Sequence, residues 1–322
     1  MNILNKQDYR LFESLCMGTQ KSLLKVTQKF LKRYKYQVIA TKDYVIGIGD
    51  IPIALIAHLD TVRKVPPVEI LYDREKNMII SPQLLGADDR AGVFSIIKIV
   101  QSGLKPHVIF TTDEEIGCVG AYNLAMRKCP FNDCRFLIQL DRHGANDCVF
   151  YDCDNPEFEE YIENFGFVKA FGSFTDITEL CPAWGMAGVN LSIGYRDEHS
   201  VSEVLFVGQM LETIKKVKNI LTEKTIPYFK YISKPYYYSN FMNDYNYNGF
   251  FDEEKVQCEK CGKIVNKDDT LDVYTKDHKI KKFCSECLIN HAFICNCCGQ
   301  IYEVDPFNPQ DEICAKCSGE KI

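Results

Sequence analysis

The sequence predicts an α/β protein: a three-layer domain with a mostly parallel central sheet, followed by a small zinc-ribbon-like module. Three observations carry this. Apolar runs too short for helices alternate with helical stretches through the first two thirds of the chain, as expected of a sheet covered on both faces. The acidic and histidine-bearing segments fall at or near the ends of those runs, where α/β sheets collect their chemistry. Four Cys-x-x-Cys pairs crowd the last 65 residues, which is metal-ligand spacing.

Taken in order, residues 8–34 carry apolar positions at helical spacing (Leu11, Leu15, Leu23, Leu24, Phe30, Leu31), so a helix or helix pair opens the chain. Tyr36–Ala40 and Tyr44–Ile48 read as short strands. Ile51–Ala57 is a continuous apolar run, as in a strand buried on both faces. Ala91–Gln101 reads as helix, His107–Thr111 as strand, Gly120–Arg127 as helix and Arg135–Leu140 as strand. Glu157–Asn164 reads as helix, Gly188–Ile193 as strand and Val204–Leu221 as a closing helix. The expected division is a domain at 1–222, a Tyr- and Asn-rich linker at 223–252 that docks through its aromatics, and a cysteine module at 253–322.

The chemistry-bearing segments are His58-Leu-Asp60, Asp88-Asp89, Glu114-Glu115, Asp141 and His199. A histidine can ligate a metal through one ring nitrogen while a carboxylate two residues on holds the other nitrogen's proton. Asp88, at a helix start, has two oxygens that could bridge a pair of cations. Of two adjacent glutamates, one can bind metal and the other can take a proton from water. Each motif alone is ordinary. Five of them in order, at strand ends and helix starts, read as one two-metal hydrolytic site.

On these residues the chain resembles the co-catalytic di-zinc exopeptidases, a group including peptidase T, aminoacylase and the leucine-aminopeptidase-like enzymes. Ala57–Val62, Leu84–Val93 and Thr111–Gly117 are similar to peptidase T-like motifs. Leu140–Val149 with Gly188–Val201 looks like a lidless phage- or Firmicute-type branch. The resemblance implies that His58 and Asp141 hold one zinc, Glu115 and His199 the other, and Asp88 both. It implies Asp60 as the orienting partner of His58 and Glu114 as general base. Asp89 is not expected to be a ligand. The implied reaction is amide hydrolysis of an aminopeptidase type on a peptide or small amide, with deacylation of N-acyl amino acids as the alternative. A non-catalytic protein-binding scaffold is the competing class. Cobalt or manganese are alternatives to zinc in the catalytic pair. The gaps between Asp60 and Asp88 and between Asp141 and His199, 27 and 57 residues, leave no room for an inserted lid. His143 reads as a surface histidine, and Arg196 has only a weak claim to a substrate carboxylate.

Cys258, Cys261, Cys284, Cys287, Cys295, Cys298, Cys314 and Cys317 supply eight thiolates, enough for two closed tetrahedral zinc sites. Sequential and crossed pairing both remain open; Cys297, His278 and His291 are surplus candidates. Thiolate ligation needs a reducing compartment, so a cytoplasmic location is expected. The seven cysteines before residue 182 read as small core hydrophobes. A net charge of −6 and an acidic C-terminal module give no footing for nucleic acid. The expected role of that module is protein contact or substrate gating. No run approaches the roughly 20 apolar residues of a membrane span.

Overall fold

The computed structural model describes residues 3–63, 65–234, 255–266, 270–275, 279–284, 287–288, 291–295 and 301–304. The chain divides into two compact units, Met1–Tyr236 and Tyr237–Ile322.

The first unit opens with α1 (Lys6–Cys16) and α2 (Gln20–Arg33), then β1 (Gln37–Ala40), β2 (Tyr44–Ile48) and β3 (Ile51–His58). There follow β4 (Leu71–Asp73), β5 (Met78–Ile80), α3 (Ala87–Gln101), β6 (Pro106–Thr111), α4 (Val119–Ala125) and β7 (Phe136–Arg142). Next come β8 (Asp147–Val149), α5 (Pro156–Glu163), β9 (Val168–Lys169), α6 (Asp176–Trp184) and β10 (Gly188–Ser192). The unit's last elements are β11 (Tyr195–Arg196), β12 (Val204–Phe206) and α7 (Val207–Leu221).

The main sheet has eight strands in the order β1-β2-β6-β3-β7-β10-β8-β9. Its centre, β6-β3-β7-β10, is parallel, because helices join these strands and lie over both faces. The alternation along β3 shows how the two faces are shared. Ile53, Leu55 and Ala57 enter a core with α1, α2, α3, α5 and α7. Ala54 and Ile56 enter a smaller core with α4 and α6. The apolar run of β3 is continuous because neither face sees water.

Local signals set several helix starts. The Asn5 side chain accepts from Gln7 N–H and Asp8 N–H, Thr19 from Ser22 N–H, and Asn155 from Phe158 N–H with Pro156 following.

Besides several strands of two or three residues, two departures from the sequence reading stand out. Val204–Phe206 is strand rather than the start of the closing helix: it pairs antiparallel with Met78–Ile80, in a second sheet of order β11-β12-β5-β4. Helix α6 was not foreseen, since Pro182 lies inside it and proline argues against a helix interior. It is held instead by a Thr175 capping box and by Ile177, Leu180 and Cys181 in the core. Residues 226–234 run along the first unit, with Phe229 buried among Phe136, Phe158 and Tyr161. The tyrosines at 236–238, 245 and 247, expected to dock the linker, lie outside the described residues.

The second unit contains a hairpin of β13 (Lys255–Gln257) and β14 (Ile264–Asn266). Beside it in sequence are β15 (Thr270–Tyr274), β16 (Ile280–Cys284), β17 (Ala292–Ile294) and β18 (Ile301–Glu303), forming a sheet in the order β16-β15-β18-β17. Among the described residues, no helix is long and apolar enough to cross a membrane.

Candidate metal centre

The parallel order of β6, β3 and β7 puts their carboxyl ends side by side, and each end delivers a group to one place. His58 is the last residue of β3, Asp141 is the second-last residue of β7, and Glu114 and Glu115 follow β6. Asp88 comes from the start of α3, where Asp88 and Asp89 depart from helical backbone angles. His199 comes from the loop between β11 and β12, at φ +62°.

Asp88 stands between the two histidines. Its Oδ1 is 3.0 Å from His58 Nε2 and its Oδ2 is 3.2 Å from His199 Nε2. Asp141 Oδ1 lies 3.5 Å from His58 Nε2, and Glu115 Oε2 lies 3.0 Å from His199 Nε2. Two triads result, His58–Asp88–Asp141 and Asp88–Glu115–His199, each with its ligand atoms within 4.8 Å of one another.

The other acids have different surroundings. Asp60 Oδ1 is 3.2 Å from His58 Nδ1, leaving Nε2 free to face the acids. The Asp60 carboxylate also accepts from Glu114 N–H at 3.1 Å and Glu115 N–H at 3.0 Å. Asp89 turns away from both triads: it accepts from His58 N–H and Gly92 N–H. Glu114 Oε2 sits 4.0 Å from His58 Nε2. Burial first, then Asp141, Asp88 and Asp60, push its carboxyl up to about 7 against the pull of His58. Burial, with Asp88 next, pushes Glu115 up to about 8.

Six carboxyl groups thus share a small volume with two histidines, and Glu115 Oε1 is buried without a hydrogen-bond partner. An orphaned buried acceptor and uncompensated negative charge are costly. A pair of divalent cations between the triads would supply both the missing partner and the missing charge, so the donor set fits such a pair. Residues 42–172 match Peptidase family M28. The main unit is also similar in fold to an aminopeptidase PepT from Bacillus cereus, at 16% identity and TM-score 0.55, over 68% of this chain and 98% of that one. A tripeptidase from Staphylococcus aureus matches at 13% identity and TM-score 0.55, over the same shares. A TET aminopeptidase from a marine sediment archaeon matches at 13% identity and TM-score 0.55, over 69% and 98%. No curated protein matches. The likeness to these solved structures is one of fold, and the family match spans residues 42–172, which include His58, Asp88, Glu114, Glu115 and Asp141.

Within the M28 segment and just beyond it, residues that the motifs did not announce hold the centre in place. Asp141 is gripped by Tyr195 O–H at 3.1 Å, Thr175 O–H at 2.9 Å and Gln139 Nε2 at 3.1 Å. Gln139 could have been found from strand alternation, since it shares a face of β7 with Asp141. Tyr195 and Thr175 had no local signal. A cavity of about 260 Å³ opens over the centre, with Tyr151, Ser173 and Phe174 in its wall. An outer cavity of about 920 Å³ shares His143, Glu198 and His199 with it. His143 is therefore a wall residue, its Nδ1 2.6 Å from Glu198 Oε1. Arg196 lines only the outer cavity of the two, its guanidinium 5.5 Å from the centre of the Phe206 ring.

In the second unit Cys258, Cys261, Cys284 and Cys287 bring their sulfurs within 4.8 Å of one another, and Cys284 N–H donates to Cys258 Sγ. Cys295 is buried; Cys298, Cys314 and Cys317 lie outside the described residues.

Proposed function

We propose that this protein is an aminopeptidase-type amide hydrolase with two co-catalytic zinc ions, cytoplasmic, acting on peptides or small amides. The observation that carries the reading is Asp88, whose two oxygens each face one histidine at 3.0 and 3.2 Å, the arrangement one carboxylate needs to serve two ions. His58 and Asp141 would hold one ion, Glu115 and His199 the other. Bound there, two zincs polarise a substrate carbonyl and make a water more acidic; cobalt or manganese could do the same.

This chain's own residues do the rest. Asp60 fixes the tautomer and direction of His58. Through the N–H groups of 114 and 115 it also fixes where the two glutamates leave the backbone. Glu114, beside His58 but outside both triads, takes a proton from the attacking water and returns it to the leaving amine. The cavity over the centre confines the substrate. In the second unit, Cys258, Cys261, Cys284 and Cys287 would hold one structural zinc, and the four thiolates of the last two Cys-x-x-Cys motifs are enough in number for a second.

Glu114→Gln tests the assignment. Turnover of aminoacyl and dipeptide substrates should fall by about 10²–10⁴-fold while zinc content stays at the wild-type value. Near-normal turnover would remove Glu114 from the role.

A further inference from the structure

Asp88, at the start of α3, and His199, in a loop, are far apart in sequence, yet their contact is only 3.2 Å. One side chain joins these two segments. Glu203, four residues after His199, is 1% exposed. Its Oε2 accepts from Gly86 N–H at 2.5 Å and its Oε1 from Asp88 N–H at 3.0 Å. Its own N–H donates to Ser200 O at 3.2 Å, closing the turn that leads away from His199. On the other side of the same stretch, Arg63 Nη2 donates to Leu85 O at 2.5 Å and Cys16 O at 3.3 Å. Gly86 itself sits at φ +73°, and a Cβ there would come within 2.6 Å of that nitrogen. Backbone 85–88 is therefore gripped from both sides.

We propose that Glu203 is a positioning residue of the metal centre, whose carboxylate sets the spacing between Asp88 and His199 before any ion binds. The inference rests on the two-ion reading above and adds a part that none of the ligand motifs contains. With Glu203 in place, the shared ligand and the histidine of one ion belong to a single hydrogen-bonded frame. Without it, two buried N–H groups lose their acceptor and the 86–88 stretch must move to find another. The ion between Glu115 and His199 should loosen first. His58 is fully buried at a strand end and held by Asp60, whereas the His199 side chain is 49% exposed on a loop.

The test uses the full chain, with Glu203→Gln and Glu203→Ala, and graded chelator competition to titrate the zinc of the pair. Gln nearly keeps the shape but replaces one acceptor by an NH₂ group. Glu203→Gln should weaken the more weakly held ion of the pair about 10–100-fold, the range typical of supporting residues around metal sites. The zinc-saturated melting temperature should remain close to wild type, and excess zinc should restore turnover. That rescue separates positioning from a general loss of fold. Wild-type affinity for both ions in the Gln variant would overturn the proposal, as would turnover lost while both ions stay tightly bound. A wild-type chain that binds no ion pair would overturn the function proposed above instead. If neither variant folds, amide exchange in the wild-type chain with the pair extracted decides the matter. Slow exchange at Gly86 and Asp88 is expected, and exchange at the unprotected rate overturns the proposal.

Discussion

Asp60 illustrates how far a residue-scale pattern reaches. Its spacing of two from His58 made it a candidate partner for the ring, and the carboxylate does stand 3.2 Å from Nδ1. Its bonds to the N–H groups of Glu114 and Glu115 had no local trace, because those residues lie more than fifty positions on. A second buried histidine makes a separable prediction. His107 Nδ1 accepts from Gly49 N–H at 3.1 Å, so the ring's proton sits on Nε2 and faces Asp133 Oδ1 at 3.1 Å. Burial lowers its pKa below the ordinary 6.5, against the opposing pull of Asp133. The unfolded chain then binds more protons than the folded one at acid pH. The stability contribution is complete above pH 6.5 and is lost as pH falls from there through the folded pKa. Urea midpoints from pH 7.5 to 5 should drop more steeply for wild type than for His107→Gln, whose amide can make both bonds without titrating. Parallel curves for the two would remove His107 as the cause.

At the scale of elements, strands were the most legible part of the chain. Tyr44–Ile48 was read with the bounds it has, and Ile51–Ala57 falls one residue short of β3, because runs buried on both faces announce themselves by composition. Short elements such as β4, β5, β9 and β11 were not legible. Two or three residues are too few for a period, and their pairing partners are distant. Helix α3 shows how an element's packing reaches the metal centre. A Cβ at Gly92 would come within 2.2 Å of Leu140 O and 2.4 Å of Asp89 Oδ1, so the absence of a side chain lets α3 lie directly on β7. Gly92→Ala must push the helix outward and disturb Asp89, which anchors both Gly92 N–H and His58 N–H. A loss of about 1–3 kcal/mol is expected for such overpacking, with lower zinc occupancy of the pair. Denaturant unfolding with elemental analysis checks both; an unchanged midpoint would show that α3 can shift freely.

For the whole molecule, the reading implies about four zincs per chain, two between the triads and two in the second unit. Replacing Cys258 and Cys284 by serine should lower the count by about one, because these two sulfurs converge with Cys261 and Cys287 on one point. A count that stays at four would show that this cluster is not a ligand set. The convergence pairs the first two Cys-x-x-Cys motifs with each other, a choice that spacing left open.

The sequence by itself determined the residue types, their order and their positions at strand ends, since periodicity and short spacings are properties of neighbouring residues. Only the tertiary structure decided that Asp88 faces both histidines, that Asp89 turns away, that Tyr195 and Thr175 hold Asp141, and that Glu203 joins two segments. Those are contacts between segments brought together by the sheet order, and a hydrogen bond across thirty or more residues leaves no periodic trace in either segment that makes it.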